Sequence, residues 1–281
     1  MPEPTLGGFT PFNEAHAIVS VQATIQFAHP VSEAQWAAMR SVIWQTGRDL
    51  GVGHPTPAFG LSVNFDGSRL GVALNSPSVT SQQAMGLNFS TFDTNEMLVE
   101  RLSANKDAIQ VQTNQYIRWK PFSGRIEQFA KNLYKFYNYE VPIALVQLEY
   151  WDRFDLVEAQ NQDSSALIAS DSPFVSRAGI EHAEPWHSHS GRFERLSDRE
   201  RRLIQTKVDY GDYPGKTGAP TRSIIIYTMM QDALNAPGYR RTVGMGWGFN
   251  EAMAVLDRQH TALKGDLRRI ITLEAAERIG L

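Results

Sequence analysis

The densest group of side chains capable of chemistry lies in the segment 181–189, which contains three of the seven histidines and two carboxylates. If this segment leads into a strand, His187 and His189 point to the same face, because side chains alternate along a strand. Two imidazoles on one face can ligate Zn²⁺, Fe²⁺ or Ni²⁺, and His182, Glu184 or the distant His260 can supply a third ligand. One hypothesis is therefore a metal-dependent enzyme in which the bound ion activates water.

The alternative for the same histidines is structural, with hydrogen bonds to nearby backbone groups. The pattern H-x-H lacks the helical H-E-x-x-H form that specifies a metal hydrolase. His260 stands within the apolar stripe of the last predicted helix, between Leu256 and Leu263. That spacing favours a buried histidine with a satisfied hydrogen bond over a catalytic base. We expect no cofactor, with a divalent metal as the alternative.

Two glycine-containing segments approach phosphate-binding patterns without completing them. The segment 211–218 contains Gly-Lys-Thr, but Tyr210 stands where a Walker A loop needs its first glycine. The segment 244–248 reads G-x-G-x-G and lacks the third-glycine spacing of a dinucleotide fingerprint. We interpret the first as a hairpin loop and the second as a turn into the last helix.

Basic residues are clustered at 199–202, 240–241 and 268–269. The whole chain carries 27 Lys and Arg against 30 Asp and Glu, a net charge of −3, so it has no general attraction for nucleic acid. A nucleic-acid-binding module is therefore the weaker alternative, and solvated arginines are the main interpretation.

Large aromatic residues recur at predicted loops and strand ends of the second half. Tyrosine and tryptophan are enriched at protein interfaces because they bury a large area at low entropic cost. The alternative is ordinary core packing, which we expect to account for at least half of these aromatic residues. The candidates for contact with a partner are Trp186, Tyr210, Tyr213, Tyr239 and Trp247.

The composition is that of a globular protein, with 281 residues, 42% of them apolar and 20% charged. The chain has no cysteine, which excludes disulfides, thiolate metal sites and a cysteine nucleophile. Its apolar runs are shorter than the roughly 20 residues of a membrane helix, and its start lacks the features of a signal peptide. We expect a cytoplasmic protein with no membrane partner.

The elements that must position these residues begin with a strand over 17–27, where polar and apolar side chains alternate. Ser32 and Gln35 form a capping-box pattern, and Gly51 ends the helix that follows. Further strands are predicted at 61–65, 70–74, 85–92, 97–102 and 109–119, joined as an antiparallel meander.

A second helix capped by Ser123 precedes a strand over 141–154, and a final helix capped by Asn250 precedes a short helix beginning at Thr272. Between them, strands are predicted at 192–196, 203–209 and 222–230. The pattern predicts an α+β fold of two packed halves, each a mainly antiparallel sheet covered by helices on one face. The predicted division is 1–157, a linker or long loop over 158–179, and 180–281.

Four segments together resemble an uncharacterised, sporadically distributed prokaryotic protein family. They span nearly the whole chain in the same order: 17–27 with Pro30, 145–154, 186–194, and the closing pair 256–263 and 271–280. The resemblance implies a two-half α+β architecture and no established activity, cofactor or catalytic residue. A patchy distribution is typical of accessory systems such as phage defence or toxin–antitoxin pairs.

The absence of a complete catalytic motif and the aromatic candidates favour a non-enzymatic role. The leading hypothesis is a partner-binding protein of a small prokaryotic operon, plausible in defence or toxin control, whose protein partner is encoded nearby. A homo-oligomer fits the same hypothesis.

Overall fold

The computed structural model describes residues 8–13, 16–53, 55–59, 84–136, 141–157, 163–182, 184–216, 218–234 and 246–281. Its strands are β1 (Phe9–Pro11), β2 (Ile18–Phe27), β3 (Pro55–Phe59), β4 (Ala84–Phe92), β5 (Leu98–Asn105), β6 (Ala108–Thr113), β7 (Ile143–Leu156), β8 (Trp186–Arg195), β9 (Arg201–Pro214) and β10 (Pro220–Ala233). Its helices are α1 (Glu33–Asp49), α2 (Trp119–Phe136), α3 (Arg177–Ile180), α4 (Phe249–Ile270) and α5 (Leu273–Arg278).

The strands form one antiparallel sheet in the order β3-β4-β5-β6-β2-β7-β10-β9-β8, with β1 paired to β7. The α+β prediction and its mainly antiparallel sheet are confirmed. The strands of the two predicted halves are not separate sheets, because β7 and β10 pair directly from Leu145 to Asp155 of β7. A single sheet therefore runs through the whole described fold.

The two faces of this sheet differ in composition because the strands alternate. In β2, Val21, Ala23 and Ile25 are buried, whereas Gln22 and Thr24 point to the opposite face. The buried face packs with α1, α2 and α4 in one hydrophobic cluster. The opposite face, which we call the open face, carries a band of polar side chains across its centre, made of Thr24 and the glutamines Gln22, Gln110, Gln112 and Gln147.

Local signals predicted the first helix well. The Ser32 hydroxyl accepts a hydrogen bond from the Gln35 backbone N–H at 3.3 Å, and the Gln35 side chain accepts from the Ser32 backbone N–H at 3.0 Å. Gly51 follows the helix with a φ of 68°, a conformation that glycine adopts without strain. The predicted capping box and helix end are both confirmed.

Two other helix starts differ from the prediction. Helix α2 begins at Trp119, so Ser123 lies inside it and donates its hydroxyl to the Lys120 carbonyl. The N-cap of α4 is Gly248 rather than Asn250, and its backbone N–H donates to the Glu251 carboxylate at 2.7 Å. Thr272 caps α5 as predicted.

The described part of the predicted linker packs into a hydrophobic core. Leu167 and Ile168 are fully buried in a cluster that also contains residues of α5 and of β10. The Thr272 N–H donates to the Leu167 carbonyl at 2.8 Å, which ties this segment to the C-terminal helices. Leu167 and Ile168 therefore anchor this segment to the rest of the fold.

The predicted strands at 61–65 and 70–74 lie outside the described residues, as do Tyr239 and the arginines at 240–241. None of the helices in the described ranges is long and apolar enough to cross a membrane.

Candidate functional site

A cavity of about 420 Å³ lies on the helical face of the sheet. Its walls come from residues 16–18 before and at the start of β2, the segment 116–120 that leads into α2, strands β7 and β10, helix α4 and residues 279–281. This volume is in the range of sites that hold small organic ligands. The cavity is therefore a candidate site for a small ligand.

The cavity lies beside an interruption in the sheet. Strands β1 and β2 pair with the same edge of β7, β1 opposite residues 154–156 and β2 opposite residues 143–152. The register of β2 against β7 also shifts between Ile18 and Ser20, which marks a bulge. Bulges of this kind commonly re-aim side chains next to functional sites. Here the interruption and the bulge lie beside Asp152.

Asp152 is the most unusual residue of the cavity. It lies on the buried face of β7 with only 1% of its surface exposed, and neither carboxylate oxygen has a hydrogen-bond partner among the described residues. Burial raises the pKa of Asp152 from 3.8 to about 7. A buried carboxyl without partners is costly, so it calls for an explanation outside the protein's own contacts.

Three aromatic side chains, Tyr150, His260 and Trp119, line the same cavity. The Tyr150 hydroxyl and Nδ1 of His260 form a hydrogen bond of 2.9 Å. The His260 ring stacks on Trp119 with centroids 4.5 Å apart, and Trp119 Nε1 donates to Asp257 at 2.7 Å. Burial, reinforced by the charge of Lys264, lowers the pKa of His260 to about 4. His260 is therefore uncharged at neutral pH.

A second histidine and tyrosine complete the interior. His16 packs edge-on against Tyr116 with ring centroids 5.8 Å apart, and its buried Nδ1 has no hydrogen-bond partner in the part of the chain that is described. Burial lowers the pKa of His16, and the charge of Arg118 lowers it further. Burial raises the pKa of Tyr116 to about 12, so its hydroxyl stays protonated. The cavity thus has neutral polar groups on mainly apolar walls.

Three cations line the same cavity: Arg118, Lys120 and Lys264. The side chains of Arg118 and Lys120 are exposed, and Lys264 is half-buried. Within the described ranges, none of the three forms an ion pair. They give the solvent-facing part of the cavity a positive charge that contrasts with the buried carboxyl.

The structure places the predicted metal ligands apart from this cavity. His187 and His189 are exposed on the same face of β8, opposite Asp209 and Lys207 of β9. His182 and Glu184, which precede the strand, are also exposed. In the part of the chain that is described, no group of three or more His, Asp or Glu side chains is arranged to hold a metal ion.

The predicted partner-binding aromatics divide into interior and half-buried residues. Tyr210 and Trp247 are core residues, 2% and 9% exposed. Trp186 is half-buried against Tyr210, with ring centroids 6.2 Å apart, and Tyr213 is also half-buried. These positions offer only part of their area to a partner.

The remaining motifs have structural roles. Residues 211–214 belong to β9, and the Gly215 N–H donates to the Ala219 carbonyl in the turn that leads to β10, as the hairpin interpretation predicts. In the arginine cluster 199–202, Arg202 forms two hydrogen bonds with the fully buried Asp232, at 2.7 and 2.8 Å.

Sequence reasoning missed Asp152, His16 and Tyr116 as site residues. The available signal was an acidic residue in phase with the apolar positions of a strand, since Leu148, Tyr150 and Phe154 share its face. His260 was expected to have a satisfied hydrogen bond, which it has, but its place in the cavity wall was not expected.

Comparisons with known proteins add no family or activity: no family model matches the chain, and no curated protein matches it.

Proposed function

We propose that this protein binds a small organic ligand in the cavity around Asp152. The observation that carries the proposal is the pair of unpartnered oxygens on a carboxylate that is 99% buried and lines a cavity of ligand size. A protein that used Asp152 only for packing would be more stable with an apolar side chain there. A ligand that donates to both oxygens removes that cost when it binds.

The rest of the wall supports binding rather than a defined reaction. His260 is neutral and hydrogen-bonded to Tyr150, and Tyr116 is protonated, so these groups can orient a ligand at neutral pH. The proposal agrees with a non-enzymatic role and assigns the binding site to a small molecule. Binding of a protein partner, the metal-dependent enzyme and the nucleic-acid-binding module stay predictions.

The test is a thermal-shift screen of a metabolite library at pH 8, where Asp152 is mostly ionised. A ligand at 100 times its dissociation constant stabilises the folded state by about 2.7 kcal/mol and raises the melting temperature by about 5 °C. We expect hits on the natural protein that are lost on Asp152→Asn.

Asp198→Asn is the matched control, because it makes the same change at a carboxylate whose side chain is 93% exposed. It should keep the hits. A library without hits, or hits that Asp152→Asn keeps unchanged, would overturn the proposal.

A further inference from the structure

We infer that the ligand of this cavity carries a planar group with two adjacent N–H donors, which pairs with Asp152, and an anionic group, which pairs with Arg118, Lys120 and Lys264. This inference rests on the proposed function and names the chemistry of the ligand. The guanine base and phosphate of a guanine nucleotide carry both features, and so do the guanidinium and carboxylate of free arginine.

The carboxylate of Asp152 sets the first requirement. Both of its oxygens lack partners, so a single donor satisfies one oxygen and leaves the other buried and unpaired. Two parallel N–H donors in one plane satisfy both, as in the pairing of arginine with carboxylates. The edge of guanine that carries N1–H and the amino group has the same arrangement of donors.

The cations set the second requirement. Arg118, Lys120 and Lys264 line the same cavity, and none has an acidic partner in the described ranges. A ligand with only a positive group would satisfy Asp152 but would be repelled by these three charges. An anionic group on the same ligand converts that repulsion into attraction. Phosphate and carboxylate are both recognised by arginine and lysine in this way.

The walls favour the nucleotide over the amino acid. Tyr116, Trp119, Tyr150 and His260 give the cavity aromatic surfaces, and a flat base has a large area to place against such surfaces. Arginine has a planar group only at its end and fills less of a cavity of about 420 Å³. Both remain arms of the experiment because they share the recognised chemistry.

Isothermal titration calorimetry at pH 8 and low salt tests the inference with four compounds: guanosine monophosphate, adenosine monophosphate, guanosine and L-arginine. Adenosine monophosphate keeps the phosphate but has an acceptor beside its amino group, and guanosine keeps the base but lacks the phosphate. We expect guanosine monophosphate to bind about tenfold or more tightly than either of the other two purine compounds.

Three variants complete the experiment. Asp152→Asn should weaken binding of guanosine monophosphate about 100-fold, and Lys264→Gln should weaken it about tenfold while leaving guanosine unchanged. Asp198→Asn should bind like the natural protein. Circular dichroism and the melting temperature confirm that each variant is folded.

Each outcome has a separate meaning. Binding of L-arginine in place of the nucleotide, with the same dependence on Asp152, supports the shared chemistry and identifies the amino acid as its source. Equal binding of the guanine and adenine nucleotides, or binding that survives Asp152→Asn, overturns the inference. If neither guanosine monophosphate nor L-arginine binds but a library compound binds through Asp152, the inference fails and the proposed function stands. A library without hits overturns both.

Discussion

Two buried carboxylates lie three residues apart on β7, and their surroundings are opposite. Glu149 faces the open face and accepts hydrogen bonds from Gln22 at 3.0 Å, Gln147 at 2.5 Å and the Tyr227 hydroxyl at 2.9 Å. Asp152 faces the helices and accepts none from any residue that the structure describes. Because the same strand positions both, the difference lies in what the neighbouring strands offer. A carboxylate whose partners are built into the fold supports the structure, whereas one without partners is available to a ligand.

The largest expected effect comes from removing the carboxylate of Glu149, whose hydrogen bonds are satisfied. Replacing Glu149 by Leu removes the acceptor of three donors that converge from β2, β7 and β10. Donors that lose a buried partner cost free energy, so we expect the free energy of unfolding to fall by about 3 kcal/mol, measured by urea denaturation. Glu149→Gln keeps the size and one acceptor, and should cost less. A loss below about 1 kcal/mol for the leucine variant would contradict a structural role.

The next effect has the opposite sign and concerns Asp152. The folded state keeps the Asp152 proton up to about pH 7, whereas the unfolded chain releases it near the ordinary value of 3.8. The folded state therefore binds more protons between these values, and its stability falls as the pH rises through this window. Because Asn does not titrate, Asp152→Asn should raise the free energy of unfolding relative to the natural protein. This gain should be about 2 kcal/mol larger at pH 8 than at pH 5. Urea denaturation at both pH values measures this, and an equal effect at the two would contradict it.

A third prediction uses the same group in ligand binding. Only the ionised carboxylate accepts two N–H donors, so affinity should rise about tenfold between pH 6 and pH 8. His260 has a pKa of about 4 and Tyr116 one of about 12, so neither titrates in this range. The pKa of His16 is lowered and that of Tyr150 is raised, so both move away from the range between pH 6 and pH 8.

The charged groups that share the cavity with Asp152 are Arg118, Lys120 and Lys264. Titration calorimetry with guanosine monophosphate at pH 6, 7 and 8 measures how affinity depends on pH. Repeating the titrations with guanosine, which has no phosphate, separates the ionisation of Asp152 from that of the ligand. A flat profile for both compounds would contradict the role of ionised Asp152.

The smallest expected effect concerns a donor to Glu149 and leaves the cavity around Asp152 intact. Tyr227→Phe removes one of the three donors to Glu149 and should lower the free energy of unfolding by about 1 kcal/mol. Tyr227 lies on the open face, so ligand affinity should not change. A loss of affinity would show that the two faces of the sheet are coupled.

The sequence predicted most of the local structure because local signals carry it. Alternation identified β2, and the capping box fixed the start of α1. The start of α2 was placed too late because Ser123 was read as a cap, although Pro121 is acceptable in a first helical turn. The joining of both predicted halves into one sheet depends on pairs such as Tyr227 with Trp151, which are distant in sequence and leave no local signal.

The candidate site was predictable only in part, for a related reason. The histidines at 182, 187 and 189 are conspicuous because they are close in sequence, but closeness along a chain does not make their rings converge. The cavity is assembled from His16, Tyr116, Asp152 and His260, which lie far apart in the chain. A single acidic residue on the apolar side of β7 was the one visible sign of it.

The pairing of β7 with β10 has a consequence for how a ligand would bind. On its other edge, β7 pairs with β10 without a register shift from Leu145 to Asp155, so the backbone that carries Asp152 is held whether or not a ligand is present. A ligand would then meet a strand already in position, and none of its binding energy would be spent on ordering that strand. Affinity in such a site depends chiefly on how well the incoming molecule matches a fixed pattern of charge.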